Sequence, residues 1–419
     1  MSFARSSAGG WLGRLAACAT LGLAAWADAA GYGDSRSGPR GPALVFAAYV
    51  PSWGVEAWRE SAPAEAGLTH AIYAFAKPVP DTGTGGVRLV LDFEGNGLEP
   101  DAAPGVFDEF LRWSDREDLR RMVSIGGWGV SEWFSDIAAT PETRRAFAAA
   151  VVDFLVEHDL DGVDLDWEFP VDGGPEGMVH RPADAANLVK LAAAVRRAFG
   201  RSPAPGSEGW ILTVAVPGEY GALAERYRLR PLAKTVDWFH LMAYDFAGSW
   251  SRRTAHYAPL RAGRNPLHHD PSVAGAVAAL RVQGVPPGKI VLGLALAGIR
   301  FEEVTEGEEG WMNAPFGRVD AETGSEGWND FRFLDPTVLY PPDPEADWAL
   351  HWDEEAGASY WVSPAGGTVI SFESKRSAAE KGRFAAAAGV RGLMFWSLDK
   401  DGPDLPLIRA AVGAMEGGP

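Results

Sequence analysis

The chain has 419 residues, 47% of them hydrophobic and 22% charged, a globular composition that sets disorder aside. Its formal net charge of −18 excludes nucleic acid and anionic lipid as expected partners, since both need a cationic face, but suits a neutral substrate. Its 17 Trp are unusually many, so some are expected to stack on flat surfaces such as the CH faces of sugar rings.

Residues 1–30 read as an export signal. Arg5 and Arg14 supply positive charge, Leu15 to Trp26 is a short apolar stretch, and Ala25-Trp26-Ala27 or Ala27-Asp28-Ala29 fits a small-residue cleavage site. The stretch is too short to span a bilayer, so a secreted protein, extracellular or periplasmic, with no membrane span is expected. Cys18, the only cysteine, lies in Leu15-Ala16-Ala17-Cys18, which is like a lipoprotein processing box. Arg14 directly precedes that box and much of the apolar run follows it, so lipid anchoring is the minor alternative. Cleavage at the small-residue site removes the cysteine and leaves no intramolecular disulfide. Residues 31–42, mostly Gly, Ser, Arg and Pro, read as a flexible lead-in.

Beyond them, β-branched runs alternate with Ala-rich amphipathic stretches. Strands are expected at Leu44–Val50, Thr69–Ala76, Arg121–Ile125, Gly162–Glu168, Trp210–Val216, Val236–Ala243, Lys289–Ala297 and Gly392–Ser397. Helices are expected at Pro141–His158, Asp184–Phe199, Ser272–Gln283, Ser377–Ala388 and Leu405–Met415. Eight strands with crossover helices is the count of an α/β (β/α)8 TIM barrel, and the runs are apolar enough to be buried on both faces. A doubly wound open sheet would bring a Gly-rich phosphate turn after its first strand, and Tyr49-Val50-Pro51-Ser52-Trp53-Gly54 is nothing like one.

Between the seventh strand and the helix near Ser377 lie roughly seventy residues, far beyond the usual βα loop. They hold strand-like pieces at Phe331–Leu334, Ala349–Trp352, Ser359–Val362 and Val369–Phe372. Residues 300–372 are therefore read as a small α+β insertion walling one side of a cleft, and residues 43–299 and 373–419 as the barrel.

The most informative segment is Asp161-Gly162-Val163-Asp164-Leu165-Asp166-Trp167-Glu168-Phe169-Pro170. On a strand, Asp164, Asp166 and Glu168 share one face, with neighbouring attachment points roughly 6.5–7 Å apart, while Val163, Leu165 and Trp167 share the other. Three acids facing a barrel lumen cannot all ionise cheaply, so a proton is retained or shared within the row. Glu168 comes last, at the carboxyl end where barrel enzymes place their chemistry, as a neutral acid ready to donate. A solvated edge would not be backed by a buried Val163-Leu165-Trp167 face. A calcium loop would need Gly turns and Asn or carbonyl ligands close in sequence. His256 and His268-His269-Asp270 lack zinc spacing and read as surface or loop residues. No metal or cofactor is expected.

These residues resemble the family 18 glycoside hydrolases, the chitinase family. Asp161, Asp164, Asp166 and Glu168 match its D-x-x-D-x-D-x-E signature, Ser124-Ile125-Gly126-Gly127 its S-x-G-G, and Met242-Ala243-Tyr244-Asp245 its M-x-Y-D, which continues into Phe246-Ala247-Gly248-Ser249-Trp250. Phe395-Trp396-Ser397-Leu398-Asp399 resembles the end of the eighth strand, so the likeness runs from about Tyr49 to Asp401.

The resemblance implies cleavage of β-1,4-linked N-acetylglucosamine polymers. Glu168 would protonate the glycosidic oxygen, and the substrate's own acetamido oxygen would attack the anomeric carbon to give an oxazolinium that water opens with retention. Asp166 would accept the acetamido N–H and stabilise the positive charge. Asp164 would hold the shared proton and tune Asp166, and Tyr244 would donate to the acetamido oxygen. Trp396 would floor the subsite of the distorted sugar, with Met242, Phe75, Tyr49 and Asp245 around it and Gly127 at its edge. Trp128, Trp53 and Trp250 would stack on neighbouring sugars. Ser124, Gly126 and Gly127 would also let the third strand pass close to the acidic one. A polysaccharide or oligosaccharide is the expected partner and a monomer the expected state.

One stretch departs from the family pattern. Where its seventh strand carries P-F-Y-G-R, this chain has Ala295-Leu296-Ala297-Gly298-Ile299, with Arg300 next in sequence. The missing tyrosine and arginine keep open an endo-β-N-acetylglucosaminidase acting on N-glycans or a cell-wall glycan hydrolase. A chitin lectin is opposed by the retained Glu168, Asp166 and Tyr244.

Overall fold

A computed structural model describes residues 43–91, 105–202, 209–248, 250–263, 271–307, 310–319 and 347–417. The export signal, Cys18, the lead-in, Ser249, His268-His269-Asp270 and the expected strand Phe331–Leu334 lie outside the described residues.

The strands in chain order begin with β1 (Val45–Pro51), β2 (His70–Asp81) and β3 (Gly86–Val90). β4 (Arg120–Gly126), β5 (Gly162–Asp166), β6 (Ile211–Pro217), β7 (Trp238–Met242) and β8 (Ile290–Ala295) follow. Next come β9 (Gly298–Val304), β10 (Arg318–Val319), β11 (Ala349–Asp353), β12 (Ala358–Val362), β13 (Gly367–Phe372) and β14 (Gly392–Trp396). β1, β2, β4, β5, β6, β7, β8 and β14 pair in parallel in that order, and β14 returns to β1, which closes the expected eight-stranded barrel.

Crossover helices include Val106–Arg116, Pro141–Glu157, Asp184–Phe199, Val273–Val282 and Lys375–Ala388. Their starts are written in the sequence: Thr140, Ser272 and Ser374 each cap a helix by accepting from a backbone N–H three residues on. Outward side chains such as Val163, Leu165, Leu212, Phe239 and Leu292 form the layer between strands and helices. Inward ones, including Ala47, Tyr49, Met122, Trp238, Val291 and Met394, fill the lumen.

Three boundaries differ from expectation for identifiable reasons. β5 stops at Asp166, so Glu168 lies beyond the ladder, although Trp167 still packs outward, stacked on Phe134 at 5.4 Å. β2 runs on to Asp81 because β3 pairs antiparallel with its second half. β9 is an unexpected strand: Leu296-Ala297-Gly298 offers no polar punctuation, so its start was hidden in the seventh apolar run.

β9 opens a five-stranded antiparallel sheet, ordered β10-β9-β13-β12-β11, inserted between β8 and the Lys375–Ala388 helix. It starts at Gly298 rather than at residue 300, and its described residues are strands and turns. Ile299, Phe301, Val304 and Val369 pack in one cluster with Tyr257, Ala258 and Ala297. Arg300, on the opposite face by alternation, pairs with Glu302 at 2.8 Å.

His256 is not a surface histidine. It is buried, its Nε2 lying 3.1 Å from Asp353 Oδ2 of β11 and its Nδ1 3.2 Å from Ser371 Oγ of β13, so it clasps the loop after β7 to the inserted sheet. The sequence could not reveal this, because both partners are about a hundred residues away.

Candidate active site

Asp164 is fully buried and accepts four hydrogen bonds from four other strands. Oδ2 receives the hydroxyls of Tyr49 (2.7 Å, β1) and Ser124 (2.9 Å, β4). Oδ1 receives Thr213 (2.6 Å, β6) and faces His240 Nδ1 (3.1 Å, β7). Register explains the convergence, since Ser124 and Thr213 are the direct neighbours of Asp164 on β4 and β6. Burial pushes the Asp164 pKa upward, while the hydrogen bonds from His240, Thr213 and Tyr49 oppose it and favour the charged carboxylate.

Asp166 has the opposite environment. Burial first, then the charges of Glu168 and Asp164, push it well above the usual carboxylate range, and its Oδ1 is buried without a partner among the described residues. Glu168 is pushed up to about 8, by burial and then by Asp245. Asp245 is itself raised to about 6 by burial, against a hydrogen bond from Tyr257 and the charge of Lys400. Burial thus favours the protonated forms of Asp166 and Glu168. Asp164, expected to hold the shared proton, is favoured as the anion by the donors that fill its acceptor sites.

Glu168 is anchored through its backbone. Its N–H donates to Ser131 Oγ (3.1 Å), and that hydroxyl donates to the carbonyls of Gly127 (2.8 Å) and Asp166 (3.0 Å). Gly126 and Gly127 have φ of 106° and 98°, a region that favours glycine. A Cβ at Gly126 would collide with the Asp166 carbonyl oxygen, and one at Gly127 would sit 2.7 Å from the Phe75 ring. Gly126 therefore lets β4 close on β5, and Gly127 leaves room for the Phe75 ring of β2. Three non-proline cis peptides are present: Ala74-Phe75 within β2, Glu168-Phe169 just beyond β5 and Trp396-Ser397 at the end of β14.

Tyr244 is buried, with burial and then Asp245 raising its pKa, and its hydroxyl has no hydrogen-bond partner among the described residues. Trp396, partly exposed, anchors an aromatic group: Tyr49 lies 5.5 Å away edge-on, Phe75 5.7 Å away and stacked, and Trp53 6.3 Å away. Met242 packs partly buried in the same lumen cluster. Tyr49 and Phe75 are buried, and the Tyr49 hydroxyl is committed to Asp164, so both back Trp396 rather than present a face.

Trp128 is exposed beside Phe169, 6.3 Å away, and Trp250 is exposed over Gly248 with no ring contact to the Trp396 group among the described residues. Sequence reading missed Ser131, Thr213, His240, Tyr257 and the exposed Trp133. Thr213 and His240 carried a usable signal, being polar residues at inward positions of otherwise apolar strands.

The sequence profile of "Glycosyl hydrolases family 18" matches residues 45–401. Chitinase A1 of Niallia circulans is 32% identical over 290 residues, covering 68% of this chain but 41% of its own length. Chitinase 1 of Aphanocladium album is 30% identical over 383 residues, covering 87% of this chain and 84% of its own. Among solved structures, chitinase ChiA74 from Bacillus thuringiensis superposes with a TM-score of 0.74 at 26% identity, covering 90% of this chain and 70% of that one. With the closed barrel and the acidic row in place, this protein is a glycosidase and belongs to glycosyl hydrolase family 18.

Proposed function

We propose that the protein hydrolyses β-1,4-linked N-acetylglucosamine polymers, chitin or chito-oligosaccharides, with retention through an oxazolinium intermediate. The observation that carries this reading is Asp166: a buried carboxyl with one unpartnered oxygen, set between an Asp164 whose oxygens are ringed by four polar side chains and a Glu168 that burial pushes up to about 8. Glu168 gives its proton to the glycosidic oxygen as the bond to the anomeric carbon breaks. The substrate's acetamido oxygen forms the new bond at that carbon. Asp166 accepts the acetamido N–H through its bare oxygen, and the charge carried by Asp164 behind it offsets the positive charge that results. Tyr244 donates its free hydroxyl to the acetamido group. Each such preorganised contact is typically worth about 2–4 kcal/mol in the transition state. Water then adds to the same face, losing a proton to Glu168 as the ring opens. Trp396 floors the reacting sugar, and the exposed Trp128 and Trp250 offer stacking faces to its neighbours.

The names of the relatives support chitin as substrate. NMR of the first product from a chitin oligomer tests the mechanism, since an inverted anomer would rule out attack by the neighbouring group. Ala297 and Ile299, where the family pattern has tyrosine and arginine, favour a comparison substrate. Cleavage of a high-mannose glycoprotein but not of chitin oligomers would reassign the enzyme to N-glycans. Export before action is part of the proposal, and N-terminal sequencing of protein recovered outside the cytoplasm tests it.

A further inference from the structure

Trp238 and His240 both point inward from β7, buried beneath Asp164. The Trp238 indole N–H donates to His240 Nε2 at 2.9 Å. An indole nitrogen cannot accept, so Nε2 must present its lone pair and the ring proton resides on Nδ1. Nδ1 lies 3.1 Å from Asp164 Oδ1 and 3.3 Å from the Tyr49 oxygen, whose own proton goes to Asp164 Oδ2. Donation therefore runs one way, from Trp238 through His240 to Asp164.

A ring protonated on both nitrogens would set two N–H groups face to face at Nε2. Among the described residues no acceptor faces that nitrogen, and Ala215 and Val291 flank His240 on β6 and β8. The polar groups recorded against His240, besides Trp238, are Asp164, Tyr49 and His70, with Thr213 sharing Asp164 Oδ1. His70 stacks edge-on against Trp238 at 5.6 Å and feels Arg120 and Arg391, with the Arg391 guanidinium 4.9 Å above the Trp238 ring.

We propose that Trp238 is a positioning residue for hydrolysis: by fixing His240 in its Nδ1–H form, it keeps all four acceptor positions of Asp164 filled. The protons of the row are then left to Asp166 and Glu168. A protonated Asp164 would have to expel one of its four donors. The inference rests on the reading of Asp164, Asp166 and Glu168 as the catalytic row.

The test combines spectra and kinetics. Histidine 15N–1H spectra of the wild-type enzyme should show His240 as the Nδ1–H tautomer. Trp238→Phe should release Nε2 and move both ring nitrogens toward averaged shifts. Its kcat on chitin oligomers should fall on the order of tenfold, as when an orienting partner is removed from an imidazole, with KM within about twofold. Loss of a donor raises the Asp164 pKa, so the acid limb of the pH profile should move to higher pH.

A carboxamide N–H can occupy the Nδ1 position without help from an indole. In a His240→Asn background, Trp238→Phe should therefore cost less than about twofold more. An Nε2–H tautomer in the wild-type spectrum would overturn the proposal, as would an equal loss from Trp238→Phe in both backgrounds. If Trp238→Phe does not fold, the decision falls to the wild-type spectrum and two single variants. His240→Asn is expected within about threefold of wild type and His240→Leu about tenfold below it; equal rates would overturn the proposal. The tautomer does not depend on substrate, so an enzyme inactive on chitin would refute the proposed function without touching the spectral result.

Discussion

The Tyr49 hydroxyl lies 2.7 Å from Asp164 Oδ2, and both residues are buried in the barrel lumen. A residue expected to line a sugar site is thus also a donor to the anionic member of the acidic row. Tyr49→Phe removes the donor and keeps the ring that backs Trp396. The expected result is a drop in kcat of about tenfold with KM little changed, and an acid limb moved to higher pH. A raised KM at unchanged kcat would assign Tyr49 to substrate binding alone.

Glu168→Gln cannot donate a proton but fills the same volume. Turnover should fall by at least roughly 10²–10⁴-fold, while calorimetry should show a chitin oligomer still bound. Wild-type-like rates in this variant would remove Glu168 from the chemistry.

Asp166→Asn replaces the acid that accepts the acetamido N–H with an amide that can neither release nor take up a proton beside the oxazolinium. A loss of roughly 10²–10³-fold in kcat is expected, comparable to removing one oxyanion-hole donor. An unaltered rate would take Asp166 out of the mechanism.

With Glu168 raised to about 8, the proton donor is present below that pH, and activity should decline as pH climbs through it. The same shift affects stability. Between the ordinary Glu value near 4.5 and about 8, the folded chain binds a proton that the unfolded chain has released, so this group's contribution is lost as pH rises. Thermal melts of Glu168→Gln should therefore gain on wild type steadily from pH 5 to pH 8. A constant gap across that range would contradict the raised value.

His256→Ala cuts the clasp between the loop after β7 and the inserted sheet. A loss of about 1–3 kcal/mol is expected in denaturant titrations, the usual penalty for unpartnered buried groups. Asp353 is held down to about 2, chiefly by its bond to His256, so its contribution is present above the ordinary value of 3.8 and fades as pH falls toward 2. Equal midpoints for variant and wild type at pH 7 would show the clasp to be dispensable.

The barrel was legible because each strand is a short apolar run bounded by turn residues, and the acidic row because alternation on β5 places Asp164 and Asp166 on one side. Glu168 was correctly tied to that row even though the ladder ends before it, since Trp167 keeps the alternation going by packing outward. What escaped was relational. Nothing near Asp164 in sequence indicates that Thr213 and His240 meet it, because the pairing register of β5 with β6 and the closure of the barrel make those contacts. The sharing of protons escaped for the same reason, as it depends on which carboxylate receives the donors. β9 stayed hidden behind β8 because the two are joined by apolar residues with no turn signal.

Five of the eight barrel staves meet at one carboxylate: the stave that bears Asp164 and the four that supply its donors. A slippage too small to melt any helix would still break that junction and scramble the ionisation pattern above it. Catalytic power should therefore vanish at lower urea than far-ultraviolet ellipticity, making inactivation an early reporter of loosening in the scaffold.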